Sequence, residues 1–191
     1  MIITITRECG CRGDEIGRQL ASRCDMIFMA KREILTAARE IGLYDRYPMF
    51  FGEMAADDMM GTISEEFVGR IHEIPNKVLG EIIGEKDCVI VGRAAFAAFR
   101  DRSDVLNVFL CGDRVKRIEH IASKHEISMR EAERIVDDTD ERRQRYNNYY
   151  SGMDWERASN YDICIDVTKL DNSEAEEIIL KYAKMMKGLR R

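Results

Sequence analysis

Short apolar runs rich in β-branched residues recur along the chain and predict the strands of a buried sheet. The clearest are residues 2–6 (IITIT), 88–92 (CVIVG) and 105–110 (VLNVFL), followed by the mixed run 161–167 (YDICIDV) and the weaker run 26–30 (MIFMA). Runs with so little polar alternation are typical of parallel strands that are covered on both faces.

Segments with the spacing of amphipathic helices lie between these runs. They cover residues 14–23, 32–42, 64–85, 114–125, 128–150 and 172–191. Ser64 and the capping box of Ser128 and Glu131 mark helix starts, and Pro75 should kink or interrupt its helix. The alternation predicts an α/β fold: a parallel sheet with helices on both faces and ligands at the carboxyl ends of the strands.

Residues 44–62 do not follow this regular pattern. The segment is rich in methionine and aromatic residues and is poorly periodic. It is either a mobile flap over a ligand or a loop packed on the sheet edge. Its apolar side chains could also cover a contact in a homodimer, although a packed loop explains them equally well.

Composition and charge narrow the classes of function. The chain has 191 residues, of which 45% are hydrophobic, and a net charge of −5, so we expect one domain and no nucleic-acid partner. Local arginines can still bind a phosphate in an acidic protein. The N-terminus is too short and polar for a signal peptide, and no run approaches the ~18 apolar residues of a membrane helix, so we expect a cytoplasmic protein.

The cysteines and histidines show no metal-binding spacing. Cys9 and Cys11 form a CxC pair, and no histidine is placed to complete a zinc site. We therefore expect reduced, mostly buried thiols at the six cysteines. The three histidines should be surface or half-buried residues on helices, at positions 72, 120 and 125.

The turn after the first strand, RECGCRGDE, has the position of a phosphate-binding P-loop but not its strict motif. In the alignment to G-x-x-x-x-G-K-[ST], Arg7 stands at the first glycine, Gly13 at the lysine and Asp14 at the Ser/Thr. A nest of amides from Gly10 to Asp14 could still bind an anion, although an acidic first turn also suits an ordinary helix. The candidate nucleotide-binding residues are Arg7, Gly10, Cys11, Arg12, Gly13, Asp14 and Glu15.

Three segments, in order and spanning nearly the whole chain, resemble the cytidylate kinase-like family. The opening ITITRECGCRGDEIGRQLA matches at Arg7, Glu8, Gly10, Gly13, Glu15, Ile16 and Gly17. CVIVGR (88–93) resembles the strand of that family that ends in Gly-Arg. Residues 140–170 resemble its C-terminal signature, in which an Arg- and Tyr-rich helix leads to a Trp and then to a strand.

The resemblance implies one kinase-like domain over residues 1–191 with a P-loop NTPase-type sheet. An acceptor region would span about 31–85 and a lid region about 125–158. ATP, Mg²⁺ and a nucleoside monophosphate such as CMP would be the ligands. The relatives that this chain resembles also tend to lack the P-loop lysine. Arg12, at a position where the family usually has glycine, and Ala30, where it has Asp, are departures that affect substrate handling.

The same resemblance assigns roles to arginines. It places Arg142 and Arg143 in the lid as phosphate contacts, although a solvated, ion-paired face would explain them too. Arg93 ends a buried strand and is either a nucleotide contact or part of a structural salt bridge. Arg7 is a candidate substitute for the missing lysine. The magnesium ligand stays open between Asp14 and Glu8.

The aromatic cluster and the last strand have alternative interpretations as well. Tyr146, Tyr149, Tyr150 and Trp155 either stack on a base or, as is more usual for such residues, pack the lid helix onto the core. Asp166 lies near the adenine-side loop by resemblance and otherwise caps a strand end.

The leading hypothesis is a kinase, and the main alternative is a nucleotide-binding sensor or partner subunit without catalysis. Arg12, Asp14 and Ala30 favour the alternative. A sulfate- or phosphate-ester-binding protein with other chemistry is a third possibility.

Overall fold

Five strands form one parallel sheet in the computed structural model, which describes residues 1–52 and 70–188. They are β1 (Ile2–Arg7), β2 (Ile27–Met29), β3 (Cys88–Val91), β4 (Val105–Cys111) and β5 (Ile163–Asp166). Their order is β2-β3-β1-β4-β5, and every neighbouring pair is parallel. Each predicted strand is present, and the α/β prediction is confirmed. The central position of β1 places its C-terminal turn between the ends of β3 and β4.

The helices of the described residues follow the predicted alternation. They are α1 (Gly13–Arg23), α2 (Lys31–Glu40), α3 (Leu43–Arg46), α4 (Pro48–Phe51), α5 (Ile74–Ile83), α6 (Ala95–Ala98), α7 (Arg114–His125), α8 (Met129–Ser151) and α9 (Asn172–Gly188). Pro75 is the second residue of α5, after a 3-10 turn at Ile71–Glu73, so the predicted interruption is confirmed. Ser128 caps α8 by accepting the amide of Glu131 at 3.2 Å. The predicted cap at Ser64 lies outside the described residues.

Alternating side chains divide the core between the two faces of the sheet. Cys88 and Ile90 of β3 join one apolar cluster, which includes residues of α2, α5 and α8. Val89 and Val91 join the other cluster, which includes residues of α1 and α9. This is the period of two that a strand imposes, and it explains why the apolar run of β3 is continuous.

The described part of segment 44–62 packs on the core. Phe50 and Phe51 of α4 are buried, and the Phe50 ring meets Tyr150 of α8 edge-on with 5.2 Å between ring centroids. The packed-loop interpretation therefore holds for residues 44–52, while residues 53–62 lie outside the described part of the chain.

The cysteine prediction is correct for the core and wrong at two positions. All six thiols are free, and Cys9, Cys11 and Cys88 are buried. Cys24 and Cys164 are exposed, because Cys24 follows the last residue of α1 and Cys164 lies on the edge strand β5.

Among the described residues, no helix has the length and apolar character needed to span a membrane.

Candidate active site at the carboxyl ends of β1 and β3

The turn between β1 and α1 is held in an unusual backbone conformation. Gly10 has a φ of +85°, and a Cβ at this position would lie 2.7 Å from the carbonyl oxygen of Arg117. Arg12, the residue before α1, has a φ of +55°, which a non-glycine residue adopts at some cost. Glycine is thus required at position 10, and the turn lies directly against α7.

Several backbone amides of this turn indicate an anion-binding site. Within the described residues, the amides of Gly10, Arg12, Gly13 and Asp14 donate no hydrogen bond to the protein. The amide of Cys11, by contrast, donates to the Glu8 carbonyl at 3.3 Å. Unbonded amides at the N-terminus of a helix favour a bound anion, and phosphate is a common one.

The side chain of Arg7 extends across the open side of this turn. A Cβ at Gly13 would lie 2.8 Å from Arg7 Cγ, and one at Gly92 would lie 2.6 Å from Arg7 Nη1, so the side chain runs from α1 to the end of β3. Its Nη2 lies 3.1 Å from Asp14 Oδ1. Burial and the neighbouring cation Arg143 lower the pKa of Arg7 to about 10, and the pairing with Asp14 only partly offsets them.

Two further arginines approach Arg7. Arg143 of α8 donates from Nη1 to the main-chain oxygen of Arg7 at 3.2 Å. Arg93, which follows β3, also depresses the pKa of Arg7 by its charge. The structure therefore brings together three of the arginines singled out in the sequence.

Arg93 is held by main-chain oxygens and an aromatic ring. Its Nη1 donates to the carbonyls of Phe50 at 2.8 Å and Gly52 at 3.3 Å, and its guanidinium lies 5.3 Å from the Tyr146 ring centroid. It makes no ion pair with a carboxylate of the described residues, so the salt-bridge interpretation is wrong for that part of the chain. Arg93 itself has a φ of +58°, which marks a strained strand end.

The other two arginines of the lid block make contacts along α8. Arg142 donates to the Asp138 carbonyl and to Thr139 Oγ1, each at 3.2 Å. Arg145 forms an ion pair with Glu141, one turn away. These contacts of Arg142 and Arg145 are local to α8, while the side chain of Arg143 reaches the β1–α1 turn.

The side chain of Arg12 leaves the turn rather than filling it. Its Nη2 donates to the main-chain oxygens of Val167 and Leu170, the latter at 2.8 Å. The adjacent Asp166 accepts from the amide and hydroxyl of Thr168 at 3.0 and 2.6 Å, so it caps the end of β5. Arg12 therefore ties the β1–α1 turn to the segment that follows β5.

A cavity of about 290 Å³ lies between the turn, α7 and α8. Six of the candidate nucleotide-binding residues line it, together with His120, Lys124, Thr139 and Arg143; the six are Arg7, Gly10, Arg12, Gly13, Asp14 and Glu15. Cys11 is the exception: it is fully buried under the turn, and this burial raises the pKa of its thiol. His72 and His125 are exposed and His120 is half-buried, as expected.

The carboxylates near the turn already have partners. Glu8 Oε2 accepts the amide of Gly112 at 2.9 Å, and burial raises the pKa of Glu8. Asp14 pairs with Arg7, and Glu15 lies 2.5 Å from Lys124 Nζ. Among the described residues no three His, Cys, Asp or Glu side chains form a metal-binding group.

Arg117 and Asp140 also contact the turn, at Cys9, although no sequence motif marks them as site residues. Arg117 is buried on α7, and its Nη1 donates to the Cys9 carbonyl at 3.0 Å and to Asp140 Oδ2 at 2.6 Å. Both residues come from helices with many charged positions, and nothing in their spacing separates them from surface ion pairs.

The aromatic cluster mostly packs the core. Tyr150 and Trp155 are buried, and Trp155 meets Phe109 edge-on with 5.7 Å between ring centroids. Tyr146 and Tyr149 are half-buried beside Tyr150. The packing interpretation thus holds for Tyr150 and Trp155.

Comparisons with known proteins show which family model and which solved structures the chain resembles. The family model described as cytidylate kinase-like family matches residues 2–169. An uncharacterized protein from Eubacterium ventriosum has a similar structure, with 24% identity, a TM-score of 0.74, and 97% of this chain and 98% of that chain covered. No curated protein sequence matches the chain.

Two solved kinases share the fold at lower identity. A gluconokinase from Sinorhizobium meliloti has 14% identity and a TM-score of 0.55, with 98% of this chain and 94% of that chain covered. A shikimate kinase from Bacteroides thetaiotaomicron has 11% identity and a TM-score of 0.50, with 98% of each chain covered. The sheet and helices thus have the P-loop kinase fold.

Proposed function

Since the chain belongs to the cytidylate kinase-like family, we propose that it is a phosphotransferase that moves the terminal phosphate of ATP onto a small acceptor. Cytidine monophosphate is the first acceptor to test, because the family is named for it. The proposal rests on a cluster of cations beside the β1–α1 turn, in which Arg93 and Arg143 lie near Arg7. The backbone amides of this turn at Gly10 and Gly13 donate no hydrogen bond within the described residues.

The charge balance of this cluster supports phosphate binding. Asp14 is the carboxylate paired with Arg7, and the neighbouring Arg143 and Arg93 lower the pKa of Arg7. A phosphate placed among these groups would relieve their repulsion and accept bidentate hydrogen bonds. Phosphoryl transfer depends mainly on such positioning and neutralisation of charge.

Each group has a distinct proposed role. The amides of Gly10 and Gly13 donate to phosphate oxygens of ATP, and Arg7 supplies the charge that a lysine supplies in the strict motif. Arg143 approaches from α8, and Arg93 approaches from β3, the strand that borders the predicted acceptor region. Closure of the remaining acceptor and lid regions would exclude water.

Magnesium would use Asp14, the exposed carboxylate in the first turn of α1. Bound to ATP, the ion supplies further neutralisation of the phosphate charge. Asp14 forms an ion pair with Arg7. A phosphate that binds Arg7 would make Asp14 available to the ion.

A sensor or partner subunit that binds nucleotide without turnover is the second candidate. The Arg7–Asp14 ion pair favours it, because a phosphate must displace Asp14 before it can bind the same guanidinium. Arg12 favours this candidate too. Its side chain already donates hydrogen bonds to the main-chain oxygens of Val167 and Leu170, and its backbone is strained.

One experiment separates the two candidates. The purified protein is incubated with Mg-ATP and a panel of nucleoside monophosphates and small hydroxylated metabolites, and ADP and phosphorylated products are measured. ADP formed together with a phosphorylated acceptor supports the kinase. Thermal stabilisation by Mg-ATP without any product supports the sensor. If no nucleotide raises the melting temperature, both proposals are wrong.

A further inference from the structure

The Asp140 carboxylate joins α8 to both sides of the β1–α1 turn. Its Oδ1 accepts the amide of Cys9 at 2.6 Å, and its Oδ2 accepts from Arg117 Nη1 at 2.6 Å. Arg117 in turn donates to the carbonyls of Cys9 at 3.0 Å and Gly112 at 3.2 Å, and its Nε lies 3.4 Å from Glu8 Oε2. A single carboxylate–guanidinium pair thus holds together the turn, the end of β4, α7 and α8.

Asp140 and Arg143 lie three residues apart, on one face of α8. The first binds the backbone at Cys9 and the second binds the backbone at Arg7. Gly10 also packs closely against α7, since a Cβ at this position would lie 2.7 Å from the Arg117 carbonyl oxygen, so the turn contacts both helices. The position of Arg143 relative to the turn is therefore coupled to the Asp140 contacts.

We propose that Asp140 is a positioning residue, which through Arg117 and the Cys9 amide holds α8 so that Arg143 stays beside Arg7 before any nucleotide binds. The inference rests on the proposed function, since it concerns the same phosphate site. It also means that this part of the lid region does not swing in on nucleotide binding. Pre-organised cations neutralise a phosphate without the cost of ordering them at each turnover.

A second ion pair between the same helices provides a matched control. Arg114 of α7 donates to Asp137 of α8 at 2.7 Å, and both side chains are about half exposed. The Arg117 side chain is 7% exposed and that of Asp140 is 20% exposed. Neutralising Asp137 removes the same charge from the same helix, but it leaves the turn untouched.

The test is a double-mutant cycle on the affinity for Mg-ATP, measured by isothermal titration calorimetry. We expect Asp140→Asn to weaken binding about tenfold in the wild-type background and to have no further effect in the Arg143→Gln background. Asp137→Asn should bind as wild type does. Additive effects of the two substitutions, or wild-type affinity in Asp140→Asn, would overturn the proposal. Thermal melting identifies any variant that has failed to fold, and Arg117→Lys, which keeps the charge but loses the planar fork, replaces such a variant in the cycle.

A measurement without ligand distinguishes this proposal from the kinase proposal. Amide hydrogen exchange of the free protein should show a protected Cys9 amide in the wild type and in Asp137→Ala, with faster exchange in Asp140→Ala, which removes the accepting oxygen. If wild type binds no Mg-ATP, the proposed function fails, and the holding role of Asp140 is judged by this exchange alone. Unchanged exchange at Cys9 in Asp140→Ala would overturn the holding role.

Discussion

Nη1 of Arg143 donates a hydrogen bond to the main-chain oxygen of Arg7 at 3.2 Å, so α8 contacts the end of the central strand β1. Burial and the like charge of Arg143 both lower the pKa of Arg7, because the two guanidinium groups repel each other inside the protein. A cluster of like charges of this kind favours the binding of an anion.

Arg143→Gln should weaken the binding of Mg-ATP while leaving the stability of the fold nearly unchanged. We expect the affinity for Mg-ATP to fall about 10- to 100-fold, because a charged hydrogen-bond donor to phosphate is lost. The free energy of unfolding should change by less than about 1 kcal/mol, since relief of repulsion at Arg7 offsets the lost hydrogen bond. Calorimetric titration and urea unfolding measure the two quantities.

Arg145→Gln is the matched control for this experiment. It removes the same charge from α8, but its ion pair is with Glu141 on the same helix. Its affinity for Mg-ATP should stay near that of wild type. Equal losses of affinity in the two variants would mean that general charge, and not the contact with Arg7, holds the phosphates.

Gly10→Ala should destabilise the turn more than Gly42→Ala destabilises the α2–α3 connection. Both glycines have positive φ, at +85° and +72°, but a Cβ at Gly42 meets nothing within 4 Å. The left-handed backbone alone costs alanine about 1 kcal/mol, and the collision with the Arg117 carbonyl should add about 1–3 kcal/mol. Urea unfolding of the two variants measures the difference. Equal losses of unfolding free energy in the two variants would show that Gly10 does not pack closely against α7.

Glu8 should make stability depend on pH. Burial raises its pKa above the ordinary value of 4.5, although Arg117 and the Gly112 amide act in the opposite direction. A carboxyl with a raised folded-state pKa contributes its full stability below pH 4.5 and loses it as the pH rises through the folded pKa. Relative to Glu8→Gln, wild type should therefore lose free energy of unfolding between pH 4.5 and neutrality.

The corresponding measurement is urea unfolding of both proteins at several pH values in this window. The difference between them should fall steadily with rising pH. Two results would contradict this: a difference that grows with pH, which would mean that Arg117 outweighs burial, and a difference independent of pH, which would mean that the two effects balance.

The fold could be predicted from the sequence because its signals are local. The run of residues 88–92 is apolar at every strand position, and β3 is buried on both faces. The effect of Pro75 on the helix pattern was predictable for an equally local reason, because the proline ring fits the first turn of a helix. The position of the P-loop turn followed from the strand before it and the helix after it.

The site was only partly predictable because its contacts are long-range. The arginine that reaches the turn is Arg143, which helical spacing alone does not select from the block at 142, 143 and 145. The partners of Arg12 are main-chain oxygens, which have no sequence signature. The pair of Arg117 and Asp140 joins two helices whose relative position is set by tertiary packing.

Trp155→Phe should test the packing role of the single tryptophan. The side chain is 1% exposed and packs against Phe109, so we expect a loss of about 1–3 kcal/mol of unfolding free energy. The affinity for Mg-ATP should be unchanged, as measured by calorimetric titration. A variant of normal stability with weakened nucleotide binding would support base stacking instead.

The most direct measurement is the exchange of individual backbone amides in ¹⁵N-labelled protein, followed by NMR with and without Mg-ATP. Gly10, Arg12, Gly13 and Asp14 donate no hydrogen bond within the described residues, so their amides should exchange quickly in the free protein. On addition of Mg-ATP, we predict that these amides become protected and that their resonances shift. If Mg-ATP binds while these four amides keep their exchange rates, the phosphates do not lie in the β1–α1 turn and the proposed site is wrong.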